Sequence, residues 1–186
     1  MMLSMIRNKD RAFYKLGRIM ELGPIKRKSY TDFIDHWFRE GAFVLENGLF
    51  ERLFELGNDI PYNIQRLCHN LWEKAREGNP ISSALIEELP ILIARQDSPH
   101  YEILWQSISP LQRNLMMALC KTPGIGPFSK EFQTTHGIGP SSSIKASLDS
   151  LCKKAILLKK TNGLYQFSDL FMPYWIMDRG NIQGDS

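Results

Sequence analysis

The residue types that could do chemistry are few, and their spacing excludes more than it offers. No Gly-Lys-Ser/Thr occurs anywhere, so the loop that cradles nucleotide phosphates is missing. Gly124-Ile125-Gly126 and Gly137-Ile138-Gly139 have no strand before them and no lysine after, so they read as turns. The histidines at 36, 69, 100 and 136 have no metal-ligand spacing. Cys68 and His69 are adjacent, and neighbours on a helix point in different directions. No Ser/His/Asp set and no metal set can be nominated, so no catalytic residue is assigned.

Two segments carry a binding signal. In the first, Lys145, Lys153, Lys154, Lys159 and Lys160 cluster with Asp149 as the only acid between 141 and 160. Ser141, Ser142, Ser143, Ser147 and Ser150 are short, polar and expected on the surface. A helix of this kind can enter a DNA groove, which nominates Ser142, Ser143, Lys145, Lys153, Lys159 and Lys160 as DNA contacts. It lacks arginine, the residue of the commonest specific base contact, and the bland alternative is a solvated lysine face. The second segment is Gly57-Asn58-Asp59-Ile60-Pro61-Tyr62-Asn63-Ile64-Gln65. Physically it reads first as a turn and a capped helix start, whose free N–H groups favour anions.

These residues must be positioned by helices. Ser29 is expected to cap a helix with Phe33, Ile34, Trp37 and Phe38 on one face, ending near Gly41. Leu49, Phe50, Leu53 and Phe54 repeat the pattern, and Gly57 suits the C′ position. Pro61 fits a first turn. The helix it opens has the stripe Ile60, Ile64, Leu67, Leu71 and Ala75 and stops at Gly78. A fourth helix from Ser82 to about Arg95 should bend or break at Pro90. Gln96–His100 is polar and holds Pro99, marking a boundary.

The second half has a different order. Ser109-Pro110-Leu111-Gln112 is a capping box with proline at N1, opening a helix with Leu111, Leu115, Ala118 and Leu119 inward. Thr122–Pro127 is a loop, and Ser129 caps a short helix ending before Gly137. A third helix from Ser141 buries Ile144, Leu148, Leu151 and Ala155. Ile156–Lys160 and Tyr165–Phe167 are strands joined through Asn162-Gly163, a hairpin signal. Three helices and a hairpin give the order of a winged helix.

Composition fits this picture. The 186 residues are 43% hydrophobic and 23% charged, enough for a core and unlike a disordered tail or a disulfide scaffold. No apolar run approaches the ~18 residues that would span a bilayer. The start lacks a signal-peptide pattern and Cys68, Cys120 and Cys152 are far apart and odd in number, so free or buried thiols in a cytoplasmic protein are expected. Residues 1–28 carry a net +6, residues 29–97 a net −6 and residues 98–186 a net +3. In the first segment Phe13, Leu16, Ile19 and Met20 have helical spacing, and Ile19–Ile25 reads as a short strand. A lone strand is unstable, so this segment is expected to belong to a sheet whose other strands are not in the chain.

The string Gly57 to Trp72, taken with Ser129 to Asp169, resembles the C-terminal half of the archaeal-type AAA-family ATPases, relatives of the signal-transducing STAND P-loop NTPases. Leu22-Gly23-Pro24-Ile25, Phe33-Ile34, Trp105, Ser129-Lys130-Glu131-Phe132, Ser141-Ser142-Ser143-Ile144, Ala146, Leu148, Leu151, Lys154 and Ser168-Asp169 carry it further, from Ser4 to Trp175. The resemblance implies a mainly α fold: a P-loop core remnant at 1–28, a helical lid bundle at 29–97 and an α+β winged helix-turn-helix domain at 98–186. The family's Walker A and B elements should precede residue 1, and they are not in this chain. The chain is thus expected to be non-catalytic alone, with ATP and Mg belonging to an intact ATPase and the P-loop core as its partner. The family's lid turn leans on the nucleotide base, which nominates Asn58, Ile60, Pro61 and Tyr62. Related initiator ATPases place a sensor arginine near this helix start; here Pro61 occupies that region, with Arg66 one turn on as a weak substitute. The alternatives are a stand-alone winged-helix DNA-binding regulator and a protein-interaction module. No membrane partner is expected.

Overall fold

The computed structural model describes residues 25–184. The expected arm and strand before Ile25 lie outside the described residues. The helical elements are α1 (Arg27–Glu40), α2 (Asn47–Leu56), α3 (Pro61–Arg76), α4 (Ser83–Gln96), α5 (Ser98–Gln106), α6 (Pro110–Lys121), α7 (Lys130–His136) and α8 (Ser141–Lys153). The chain then forms β1 (Leu157–Lys159) and β2 (Tyr165–Phe167), and closes with α9 (Met172–Gly184). This is the mainly α fold expected, a helical bundle of α1–α4 followed by the α6-α7-α8-hairpin order of a winged helix.

The bundle core is built from one stripe per helix: Tyr30, Ile34 and Phe38 of α1, Leu53 and Phe54 of α2, Ile64, Leu67 and Leu71 of α3, and Ile86, Leu89 and Ile93 of α4. Each such side chain contributes about 1.5–3 kcal/mol when fully buried. Three expectations are corrected here. α1 begins at Arg27 with Lys26 at the N-cap, so Ser29 lies inside the first turn and caps nothing. The buried face of α1 is Tyr30/Ile34/Phe38, spaced by four, while Phe33 and Trp37 stay outside at 51% and 54% exposure. Of the expected bend or break the break does not occur: α4 runs unbroken through Pro90. Its neighbours Leu89 and Ile93 are fully buried, and that packing holds the helix across the lost backbone hydrogen bond.

The winged-helix half buries Leu115, Met116, Phe132, Ile144, Leu148, Leu151 and Leu157 around one core. The capping box at Ser109 and Gln112 forms as the sequence predicts, and Ser129 accepts a hydrogen bond from the Phe132 N–H to start α7. The hairpin is antiparallel with Leu157 opposite Phe167 and Lys159 opposite Tyr165. Gly163 takes a φ of 80° at its turn. Ala155, expected on the buried stripe of α8, instead lies past the helix end with a φ of 57° and is exposed.

α9 has no counterpart in the sequence reading, and it joins the two halves. It packs on α4, α5 and α6. Trp175 meets the rings of Tyr101 and Trp105 at 5.7 and 5.6 Å, and its indole N–H donates to Ser98 Oγ at 2.9 Å. Arg95 of α4 donates two hydrogen bonds of 2.8 Å to Asp178, holding that carboxyl below its ordinary range. The polar stretch 96–100 is the joint itself, where α4 passes into α5 with only Asp97 between them.

Candidate functional site

The turn between α2 and α3 is over-determined. The Gly57 N–H closes onto Leu53 O at 2.9 Å, and its φ is −81°, so glycine is not needed for backbone freedom. It is needed for room: a Cβ there would lie 2.5 Å from Ile64 Cγ1 and 3.1 Å from Leu53 O. The left-handed residues are Asn58 and Asp59, at φ of 53° and 54°. These two types tolerate that region better than other side chains do. Arg27 pins Asp59: its Nε and Nη2 each donate to an Asp59 oxygen at 2.7 Å, and Nη1 donates to Glu51 at 2.8 Å. The same hydrogen bonds hold the Asp59 carboxyl below its ordinary range. Tyr30 donates its hydroxyl to Pro61 O at 3.0 Å, and Asn63 Nδ2 donates to Gly57 O at 3.2 Å.

This framework presents the nominated residues together. Asn58 is exposed, Ile60 and Tyr62 are 46% and 65% exposed, and Pro61 is half-buried. Asn58 also borders a cavity of about 370 Å³ between the loop at 122–125, the hairpin and Asp169. Arg66 is not a free cation. Its two terminal nitrogens donate to Asp97 at 2.7 and 3.0 Å, and its guanidinium lies 5.0 Å from the Phe171 ring and 5.9 Å from Tyr62. It ties α3 to the α4–α5 joint and to the winged-helix half.

Beside the turn runs a groove that sequence reasoning missed. It has a volume of about 290 Å³ and lies between α1 and α3, lined by Phe33, Trp37, Gln65, Cys68, His69 and Trp72 among others. Burial pushes the Cys68 thiol up to about 12. The signal was present: Tyr30, Phe33, Ile34, Trp37 and Phe38 are more large apolar residues than one helix face can bury. Tyr62, Gln65 and His69 follow one another at helical spacing on α3, so the bare turn and the groove form one strip.

On the winged-helix half, Ser142, Lys145, Lys153, Lys159 and Lys160 are exposed, Ser143 is half-buried, and Ser147 is buried in the core rather than presented. Lys154 is committed elsewhere, donating to Ser107 O at 2.8 Å. Lys145, Lys153, Lys159 and Lys160 have no carboxylate partner among the described residues. Among those residues no group of three His, Cys, Asp or Glu could hold a metal ion. No described helix is long and apolar enough to cross a membrane.

The comparisons bear on the fold. Residues 99–178 match a family model described as a probable winged helix domain. That defines the class of the second half: it is a winged-helix domain. Over most of its length the chain is also similar in fold to a solved structure, a Walker-type ATPase of Pyrococcus abyssi, with a TM-score of 0.62 and 17% identity. The match covers 91% of this chain and 47% of that one, so the chain spans about half the length of that ATPase. No curated protein matches the chain.

Proposed function

We propose that this chain is the lid and winged-helix region of an AAA/STAND-type ATP-binding protein, responsive to nucleotide in the intact ATPase and non-catalytic alone. The observation that carries the reading is the strip from the Gly57–Tyr62 turn along the α1–α3 groove. It leaves Ile60 and Tyr62 bare at a turn whose Asp59 is held by Arg27, and Phe33 and Trp37 bare on α1. An apolar surface of this extent marks a contact, and the fold likeness to a Walker-type ATPase supports a P-loop core as the body it meets.

The residues of the turn fit one part of a nucleotide. Ile60 and Tyr62 offer an apolar and an aromatic face of the kind a purine stacks on. Among the described residues, Arg27 and Arg66 stand beside the turn and are spent on Asp59, Glu51 and Asp97. On this reading phosphates and Mg belong to the core, and this chain's part is to close over the base. ATP, when bound, would supply the bridge that favours the closed arrangement. Because α9 fastens the winged helix to the lid, closure would carry both.

The test is titration with a fluorescent ATP analogue, using the chain alone and the chain joined to a P-loop core. Binding is expected only in the joined protein, and Tyr62→Ala or Ile60→Ser should weaken it severalfold. ATP hydrolysis that tracks with the purified chain, or unchanged affinity in both variants, would overturn the reading. The unpaired lysines of α8 and the hairpin favour a second reading, in which the winged helix contacts DNA through phosphates. A salt-insensitive protein complex would instead favour an interaction module.

A further inference from the structure

A third cavity lies away from the lid turn, from α8 and from the hairpin. It has a volume of about 300 Å³ and is walled by Trp105 of α5, Arg113, Asn114 and Met117 of α6, and Ile176 and Arg179 of α9. Arg113 donates its Nε–H to the Trp105 carbonyl at 2.9 Å, and its guanidinium sits 5.9 Å from the Trp105 ring. That bond fixes the plane of the fork. The two terminal nitrogens make no hydrogen bond, and the group has no carboxylate partner, among the described residues. Arg179 stands on the same cavity, 5.3 Å from the Trp175 ring, with one nitrogen on Glu102.

We propose that this cavity is a binding site for a carboxylate with an apolar body, held by the free fork of Arg113 with Asn114 and Arg179 beside it. The charge sets the valence of the ligand. Glu102 neutralises Arg179, which leaves the net +1 of Arg113 for a monoanion. A planar fork with two donors matches a carboxylate in a bidentate arrangement. Met117, Ile176 and the Trp105 face supply the wall for the apolar part, as in small-ligand pockets generally. The carboxylate could come from a free acid or from an acidic side chain of a partner peptide, and the two share this chemistry.

The experiment is an NMR titration of the whole chain at constant ionic strength, following the Trp105 indole and Arg113 Nε signals. The probes are hexanoate, the capped peptide acetyl-Leu-Glu-Leu-amide, and hexanol as the neutral control. Saturable shifts are expected with an acid in the millimolar range and not with hexanol. The stronger of the two acids identifies the source. Arg113→Gln should weaken binding at least about tenfold, the worth of a charged hydrogen-bond pair. Arg113→Lys keeps the charge without the fork and should lie between. Should Arg113→Gln fail to fold, Asn114→Ala and Arg113→Lys provide the comparison. No saturation with either acid, or equal affinity in the arginine variants, would show that Arg113 merely caps the end of α5 and would overturn the proposal.

Discussion

Replacing Arg66 with alanine should loosen the joint between the bundle and the winged helix by about 2–3 kcal/mol. Its pair with Asp97 has side-chain exposures of 22% and 28%, between the buried and surface limits. Breaking a fully buried pair costs about 3–5 kcal/mol and a surface pair about 0–1, so about 1.5–2 is expected here. The guanidinium over Phe171 adds about 0.5–1 kcal/mol. In a chain of this size the melting temperature should fall by about 4–12 °C. Urea denaturation followed by tryptophan fluorescence and by far-UV circular dichroism measures the loss. Both signals should coincide in the wild type and separate in the variant, because the two halves then unfold less cooperatively. Arg95→Ala is the control, since that side chain is 59% exposed and its loss should cost clearly less than that of Arg66. A double-mutant cycle with Asp97→Asn should show coupling above about 1 kcal/mol. Stability of Arg66→Ala within about 0.5 kcal/mol of wild type, or a cycle with no coupling, would refute the reasoning.

Gly57→Ala should cost about 1–3 kcal/mol by steric overlap with Ile64 and Leu53 alone, read as a lower urea midpoint with an unchanged slope. Cys68 and Cys120, both pushed up to about 12 by burial, should react with a thiol reagent at mild alkaline pH more slowly than Cys152, with mass spectrometry giving the order. Asp178 has its carboxyl lowered by Arg95, so its contribution to stability is complete above the unfolded value of about 3.9 and fades as pH falls through the lower folded value. The melting temperature should therefore drop more steeply with acid below about pH 4 in wild type than in Arg95→Gln. If the winged helix binds DNA, replacing Lys159 and Lys160 with alanine should shrink the slope of log K against log salt by about 1.8. An unchanged slope with an intact melting curve would leave the lysines as a solvated face.

Local rules made much of this fold legible. The capping box at Ser109, the cap at Ser129, proline at the start of α3 and the Asn162-Gly163 hairpin all form, because each is decided by contacts within a few residues. What was not legible depends on distant partners. Ser29 looks like a cap, but Arg27 reaches 32 residues along the chain to Asp59, and the helix starts with it. Gly57 was readable as a residue that matters, yet for the wrong reason, since only the approach of Ile64 shows that its missing side chain is a matter of space. The grouping of Asn58, Ile60, Pro61 and Tyr62 rests on a resemblance, and the structure adds that Asn58, Ile60 and Tyr62 are exposed on one turn. The groove beside it was not legible, because α1 offers two apolar faces and the sequence does not say which one the bundle buries.

The polar run from Gln96 to His100 shows the same limit from the other side. Polar residues with a proline between two apolar stretches look like a linker, because a linker needs solvated side chains. Here the same composition serves a joint. Gln96 Nε2 donates to Asn70 Oδ1 at 2.7 Å, Asp97 accepts both terminal nitrogens of Arg66, and Ser98 accepts the Trp175 indole N–H. The bonds of Gln96 and Asp97 end on α3 and that of Ser98 on α9, so the run is polar because it is shared. Composition reports only that these groups need partners; whether the partners are water or protein is decided by how α3 and α9 pack against the run. A loose linker would let the winged helix turn independently of the bundle. The Arg95–Asp178 pair, the Arg66 guanidinium over Phe171 and the packing of α9 on α4 do cross between the halves, and that rotation would break them together, which is the physical reason to expect the two halves to move as one.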